Sequence, residues 1–255
     1  MRETFLMNKW MVCFHPRSHP KLRLLCFPHA GGSARVFHKW SELLPSTVEV
    51  CALELPGRGK RLLETPFTNI DLLLSALGPE LLPFLDVPFA CFGHSLGARI
   101  AFEFCRWLQE TVQLTPQHLW AAAARAPHLP PDTKPIHGLP DPDFIVELRR
   151  YSGTSEEVLN NPELMGLMLP ALKADFSLLE TYQYRPSAPL DCPITCFWGQ
   201  WDDIAIQADV AAWQQHTNTF SLEPVPGNHF FPHDPLFPKR LLSKLMKFNC
   251  VESPS

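Results

Sequence analysis

The sequence predicts an α/β fold in which helices flank a mostly parallel central sheet. Short runs that are apolar at consecutive positions recur along the 255 residues, as expected for strands buried on both faces. Segments with the apolar spacing of helices separate these runs, and Gly or Pro follows most of them. Alternation of this kind is typical of parallel strands joined by helical crossovers. We expect a single domain over residues 1–255.

Each predicted strand ends at or near a turn signal. The strands are Leu22 to Phe27, Val48 to Leu53, Phe89 to Phe92, His118 to Ala124, Ile194 to Trp198 and Phe220 to Val225. The helices predicted between or after them are Phe37 to Leu44, Ile70 to Leu82, Leu96 to Glu110, Ile206 to His216 and Leu236 to Phe248.

Residues 130–185 interrupt this alternation, because they contain helix-like stretches and no strand-like run. The stretches are Asp141 to Tyr151, Ser155 to Leu159 and Pro162 to Tyr184. Such a long helical segment exceeds what one crossover needs. We therefore predict a helical lid inserted over the sheet, with Pro-rich hinges at residues 128–132 and 184–189.

Charge and composition exclude several classes of protein. The 22 Lys and Arg residues against 26 Asp and Glu residues leave a formal net charge of -4, so we expect neither nucleic acid nor an anionic membrane as a partner. No apolar run reaches the length of a membrane span. Residues 1–21 lack the apolar core of a secretory signal. We therefore expect a cytoplasmic protein, with a monomer as the default state.

The eight cysteines do not suggest a disulfide framework. Cys26, Cys51, Cys91 and Cys196 lie in apolar strand-like runs, where a free thiol behaves as a small hydrophobic group. No C-x-x-C pair is present, so neither a zinc knuckle nor a thioredoxin-type site is predicted. The expected thiols are reduced.

The most informative motif is Gly93-His94-Ser95-Leu96-Gly97, which has the form G-x-S-x-G. It lies between a predicted buried strand and a predicted amphipathic helix. In a nucleophile elbow this arrangement exposes a serine on a sharp turn, and the glycines avoid collisions with neighbouring backbone. The motif therefore predicts Ser95 as a nucleophile that needs a general base.

The acid and the base are predicted from chain order, which in α/β-hydrolases is Ser, then Asp or Glu, then His. Asp202 and Asp203 both follow the strand that ends at Trp198, and the spacing from Gly199 favours Asp202. His229 lies in a glycine-containing loop after the last strand.

Three other histidines near these motifs are not predicted to act as the base or to bind a metal. His29 lies in the loop of residues 27–32 and His94 within the elbow, next to Ser95 on a turn that directs its ring elsewhere, so neither is predicted as the base. His233 follows His229 by four residues without a carboxylate pair, so we predict no metal site, and no cofactor either.

An oxyanion hole requires two backbone N–H groups, one of which belongs to the residue after the nucleophile, here Leu96. The second is expected from the loop of residues 27–32, where Gly31 and Gly32 allow close approach of the main chain.

Four ordered blocks of the sequence resemble type II thioesterases, the free-standing enzymes that accompany nonribosomal peptide and polyketide synthetases. The blocks are residues 27–33, residues 55–61, residues 92–98 and residues 227–231, and the resemblance extends from about residue 22 to residue 248. It implies an α/β-hydrolase fold with a helical lid. It also implies hydrolysis of acyl groups from the phosphopantetheine arms of carrier proteins, and Ala30 as the second oxyanion donor beside Leu96.

Three questions remain open at this stage. Arg58 and Arg61 either attract an acidic carrier protein or the pantetheine phosphate, or belong to a solvated loop with internal salt bridges. Trp201, which is unusual beside the acid of this family, either narrows the acyl pocket or caps its loop. The same triad is also compatible with an acyltransferase or a small-molecule carboxylesterase, and the scaffold with a non-catalytic binding module.

Overall fold

The structure of the protein is a computed structural model that describes residues 8–151 and 153–245. Within them the chain forms one seven-stranded sheet. The strands are β1 (Met11–Cys13), β2 (Leu22–Phe27), β3 (Val48–Leu53), β4 (Phe89–His94), β5 (Leu119–Ala122), β6 (Ile194–Gly199) and β7 (Phe220–Val225). The α-helices are α1 (Trp40–Leu43), α2 (Ile70–Leu81), α3 (Leu96–Trp107), α4 (Asp141–Leu148), α5 (Glu156–Leu159), α6 (Pro162–Glu180), α7 (Gln207–Ala211) and α8 (Phe237–Leu245).

The strand order is β1-β3-β2-β4-β5-β6-β7, and every neighbouring pair except β1 with β3 is parallel. The mostly parallel sheet predicted from the sequence is confirmed. Because the strands are parallel, the loops after β2, β4, β6 and β7 open at the same edge of the sheet. The predicted functional residues all lie in or beside those loops.

Alternating residues of the strands form two cores, one on each face of the sheet. Leu25 and Phe27 of β2 pack with the apolar residues of α2 and α3, whereas Leu24 and Cys26 pack on the other face with Trp40 of α1 and with α8. All six residues of β2 are buried. Helices thus cover both faces of the central strands, which explains their continuous apolar character.

All six predicted strands are present, but several helices are shorter than expected. The predicted helix over residues 37–44 is a 3₁₀ turn at Ala34–Phe37 followed by α1, and the one over residues 206–216 is α7 followed by a 3₁₀ segment. Residues 246–248 of the last predicted helix lie outside the described residues. Strand β1 is not predicted, because three residues at a sheet edge carry no usable periodicity.

The expectation that Cys51 is a free thiol was wrong. Cys13 of β1 and Cys51 of β3 lie opposite each other in the antiparallel ladder and form a disulfide, with their Cα atoms 4.4 Å apart. This pairing depends on the register of a strand that the sequence does not reveal. Cys26, Cys91 and Cys196 are free and buried, as expected. Cys250 lies outside the described residues.

Three helices, α4, α5 and α6, lie between β5 and β6. They enclose an apolar cluster of their own, in which Phe144 of α4 packs edge-to-face on Phe176 of α6. The cluster is separate from the two cores beside the sheet. The assignment of residues 1–255 to one domain, with a lid at residues 130–185, stays a prediction. Among the helices of the described residues, none has the length and apolar character that a membrane span requires.

Candidate active site

Ser95 lies on a strained turn between β4 and α3. Its φ of 54° and ψ of −115° place a non-glycine residue in a region that side chains rarely adopt. The flanking glycines have a steric reason. A Cβ on Gly93 would lie 2.3 Å from the Cα of Ala98, and one on Gly97 would lie 2.0 Å from the carbonyl oxygen of Phe27. The turn therefore presents the Ser95 side chain at the edge of the sheet.

The structure brings together three side chains that are far apart in the sequence. His229 Nε2 lies 3.0 Å from Ser95 Oγ, and His229 Nδ1 lies 3.1 and 3.0 Å from the two carboxylate oxygens of Asp202. A carboxylate only accepts hydrogen bonds, so Nδ1 carries the hydrogen. The lone pair of Nε2 then points to the serine hydroxyl, as a general base requires.

Asp202, and not Asp203, is the acid in contact with the histidine. The Asp202 side chain is buried, and its Oδ1 also accepts hydrogen bonds from the backbone N–H groups of Ile204 and Ala205, each at 2.9 Å. These bonds hold the carboxylate in one orientation. Asp203 is exposed to solvent, although it lines the cavity described below. Trp201 is 71% exposed and is absent from that lining among the described residues, so it does not narrow the cavity.

Of the two predicted oxyanion donors, one lies in the elbow and the other in the loop after β2. Leu96 is the first residue of α3, where backbone N–H groups have no acceptor within the helix. Ala30 lies in the loop after β2, and the close approach of Gly97 to Phe27 shows that this loop packs directly against the start of α3. Neither residue is part of the cavity lining in the described chain.

A cavity of about 770 Å³ opens beside Ser95 and His229. One wall consists of residues that follow β5 and β6, such as Arg125 and Ile204. The other wall is formed by residues further along the chain, up to the end of α6, including Ile136, Tyr151 and Phe176. The volume is that of a small-molecule site. Ser95 therefore faces a chamber bounded by the sheet edge and by residues of α4 and α6.

Comparison with known proteins decides the family. The thioesterase domain matches residues 22–248. The chain belongs to this family. It is 40% identical over 247 residues to the gramicidin S biosynthesis protein GrsT of Aneurinibacillus migulanus, covering 96% of this chain and 94% of that protein. It is also 40% identical to the thioesterase PikA5 of Streptomyces venezuelae over 227 residues, 88% of this chain and 80% of PikA5.

The solved structures agree with this assignment. The type II thioesterase BorB, from the borrelidin biosynthetic cluster, superposes with a TM-score of 0.83 at 35% identity, over 94% of this chain and 97% of BorB. The resemblance to type II thioesterases inferred from the four sequence blocks is thereby confirmed, as is the α/β-hydrolase fold. The protein is a thioester hydrolase, and the roles of its individual residues are taken up as proposals below.

In this thioesterase a buried ion pair connects helix α6 to the loop after β2. Arg58 donates to both carboxylate oxygens of Asp175 on α6, each at 2.7 Å, and also to the carbonyl oxygen of Gly32 at 3.1 Å. Asp175 in turn accepts the backbone N–H of Gly31 at 2.7 Å. Arg58 is 7% and Asp175 1% exposed. The pair therefore holds the loop that contains Ala30 against α6.

Arg61 is also engaged within the protein. It forms a bidentate pair with Glu64 at 2.6 and 3.0 Å, donates to the carbonyl oxygen of Glu54 and lies 4.0 Å from the ring of Trp10. The internal salt bridges predicted for Arg58 and Arg61 are confirmed, but the prediction that this loop is solvated was wrong, since both arginines are buried. Asp175 and its role were not found from the sequence, since 117 residues separate it from Arg58 and no motif marks it.

The substitution Asp175→Ala is expected to lower the free energy of unfolding by about 3–5 kcal/mol, because it leaves the Arg58 guanidinium buried without a counter-charge. The double variant Arg58→Met/Asp175→Leu should recover much of that loss. Urea unfolding measures both. Arg185→Ala is the matched control, since its pair with Asp71 is largely exposed and is expected to contribute about 1 kcal/mol or less. A loss below about 1 kcal/mol for Asp175→Ala would contradict a structural ion pair.

Proposed function

We propose that this thioesterase hydrolyses acyl or peptidyl thioesters on the phosphopantetheine arms of carrier proteins during nonribosomal peptide or polyketide synthesis. The names of GrsT and BorB, which refer to gramicidin S biosynthesis and to the borrelidin cluster, support this setting. The observation that carries the chemistry is the 3.0 Å distance between His229 Nε2 and Ser95 Oγ at the edge of the cavity. An acyl group in the cavity lies beside that hydroxyl.

Acylation begins with proton transfer. His229 Nε2 removes the hydroxyl proton as Ser95 Oγ attacks the thioester carbonyl carbon, and Asp202 stabilises the imidazolium through Nδ1–H. The charge that develops on the carbonyl oxygen is stabilised by the N–H groups of Leu96 and Ala30. One such donor typically raises kcat by about 10²–10³-fold.

Release completes the cycle in two further steps. The carbon–sulfur bond breaks, the pantetheine sulfur leaves as a thiol with the proton from His229, and an acyl-serine ester remains. A water molecule then gives a proton to His229 and attacks the ester, which frees the acid and restores the Ser95 hydroxyl. A thiol needs little help to leave, so recognition of the carrier and admission of the acyl chain are the demanding steps.

The test compares one acyl group on three leaving groups. The substrates are an acyl-phosphopantetheinyl carrier protein, the acyl thioester of free pantetheine, and the nitrophenyl ester. We expect kcat/KM for the carrier substrate to exceed that for the free thioester by about tenfold or more, the ratio that about 1.4 kcal/mol of contact with the carrier provides. Free acid should be the product.

The other functions compatible with the triad give different results in the same assay. Preference for the nitrophenyl ester over both thioesters would indicate a carboxylesterase. Transfer of the acyl group to an added amine or alcohol, without free acid, would indicate an acyltransferase. Either result would overturn the proposal. The cytoplasmic location, the monomeric state and the absence of a nucleic-acid partner stay predictions from the sequence.

A further inference from the structure

A second group of histidines lies next to the proposed triad and takes no part in the reaction described above. His29 belongs to the loop after β2, His94 is the last residue of β4, and His233 follows the loop of His229. Their ring centroids are separated by 5.0 Å (His29 and His94), 5.0 Å (His29 and His233) and 5.7 Å (His94 and His233). One ring nitrogen of each lies within 4.8 Å of the other two.

Hydrogen bonds determine which nitrogens of this three-histidine cluster carry hydrogen. His94 Nε2 lies 2.8 Å from the carbonyl oxygen of His229, and His29 Nδ1 lies 2.8 Å from that of Ala30. A carbonyl oxygen only accepts, so both of these nitrogens are N–H donors. The opposite nitrogens, His29 Nε2 and His94 Nδ1, therefore carry lone pairs.

These two lone pairs are buried and lack a donor. Neither nitrogen has a hydrogen-bond partner among the described residues, and their residues are 8% and 0% exposed. Such groups are costly unless something satisfies them.

The geometry is close to that of a metal bound by three imidazoles. Zinc–nitrogen distances of about 2.0–2.1 Å in a tetrahedral site place the ligand nitrogens about 3.4 Å apart and the ring centroids about 5 Å apart. Two of the observed centroid separations, at 5.0 Å, equal this value, and the third, between His94 and His233, is longer at 5.7 Å. The ring nitrogens lie within 4.8 Å of one another, so binding draws them together. The remaining N–H groups of His29 and His94 already donate to backbone carbonyls, which is the usual outer partner of a metal-bound histidine.

We propose that His29 Nε2, His94 Nδ1 and a ring nitrogen of His233 bind a divalent transition-metal ion, with zinc as the ion that best fits three neutral imidazoles. His233 is exposed, so it provides the access route from solvent. The metal links the oxyanion loop, the end of β4 and the loop of His229. This proposal departs from the prediction of no metal site, which considered His233 only with His229.

The experiment uses the full chain without an affinity tag, freed of metal by a chelator, and titrates it with Zn²⁺ in a calorimeter and with Co²⁺ in a visible spectrometer. We expect one ion per chain, strong visible Co²⁺ bands of tetrahedral type, and a melting temperature that rises with Zn²⁺. His233→Ala should weaken Zn²⁺ binding by about 10–100-fold or more, since loss of an outer partner alone has that effect.

Two further variants distinguish the loss of a metal ligand from other effects of substituting a histidine. His233→Cys supplies another zinc ligand and should retain binding, whereas His233→Ala should not. His19→Ala removes an exposed histidine that lies before β2, at the opposite edge of the sheet, and should bind Zn²⁺ like the unaltered protein. Absence of stoichiometric binding, octahedral Co²⁺ spectra, or equal affinity of His233→Ala would overturn the proposal. A water molecule would then be the group between the two nitrogens.

Discussion

Replacement of Ser95 by alanine is expected to lower kcat for thioester hydrolysis by about 10⁶-fold, the loss found when a triad nucleophile is removed. In the proposed mechanism Ser95 Oγ is the atom that attacks the thioester carbon and forms the acyl-enzyme. The variant cannot form an acyl-serine, so we expect little residual hydrolysis from water activated by His229. Steady-state assay of an acyl-carrier substrate measures the loss, and mass spectrometry of the quenched enzyme detects the acyl-serine in the unaltered protein.

The change at Ser95 is small in structural terms. Alanine at φ 54° has a Cβ as serine does, so the strain of the turn is retained. The control is Ser75→Ala, since Ser75 lies on the exposed face of α2 and its hydroxyl donates to the carbonyl oxygen of Asp71 in its own helix. Its activity should equal that of the unaltered enzyme. If Ser95→Ala retained acyl-carrier hydrolysis within about tenfold, the proposed nucleophile would be wrong.

The second large effect is expected at Asp202. Asp202→Asn should lower kcat by about 10⁴-fold, as replacement of the acid by its amide does in serine proteases. Asp202 Oδ1 accepts hydrogen bonds from two backbone N–H groups, at 2.9 Å each. In the variant these two donors hold the side-chain oxygen of the asparagine at the same position. The amide NH₂ then faces His229 Nδ1, so the hydrogen of the imidazole moves to Nε2, and the base loses the lone pair it needs.

Asp203→Asn provides the matched control, because it makes the same change one residue along the chain, on an exposed side chain. Its kcat should stay within about threefold of the unaltered enzyme, because the hydrogen bonds of His229 Nδ1 go to Asp202, whereas Asp203 is an exposed residue of the cavity lining. Both variants should fold alike, so their melting temperatures test for indirect damage. A greater loss in Asp203→Asn than in Asp202→Asn would assign the orienting role to Asp203.

The strands were predictable because burial on both faces leaves a local signal. A run such as residues 22–27 is apolar throughout or nearly so, whatever its neighbours in the sheet. Strand β1 has no such signal, since three residues at an edge need no particular composition. Its antiparallel pairing with β3 arises from long-range contact, and so does the disulfide between Cys13 and Cys51.

The three members of the proposed triad were also accessible from the sequence, because the elbow and the loops after the last two strands have recognisable glycines. The partners that position them were not. Asp175 meets Gly31 across 144 residues, and the ring of His94 reaches the carbonyl oxygen of His229 across 135 residues. No spacing rule connects such pairs.

Order along the chain thus sufficed to place an α/β sheet, its elbow serine, and an acid and a histidine in suitable loops. Only the tertiary structure shows that Asp202, and not Asp203, contacts His229. It also shows that Arg58 is buried against Asp175 and that His29, His94 and His233 form one cluster. The physical reason is range. Burial and turn chemistry act over a few residues, whereas hydrogen bonds and ion pairs between distant segments exist only after the strands align and bring their loops to one edge.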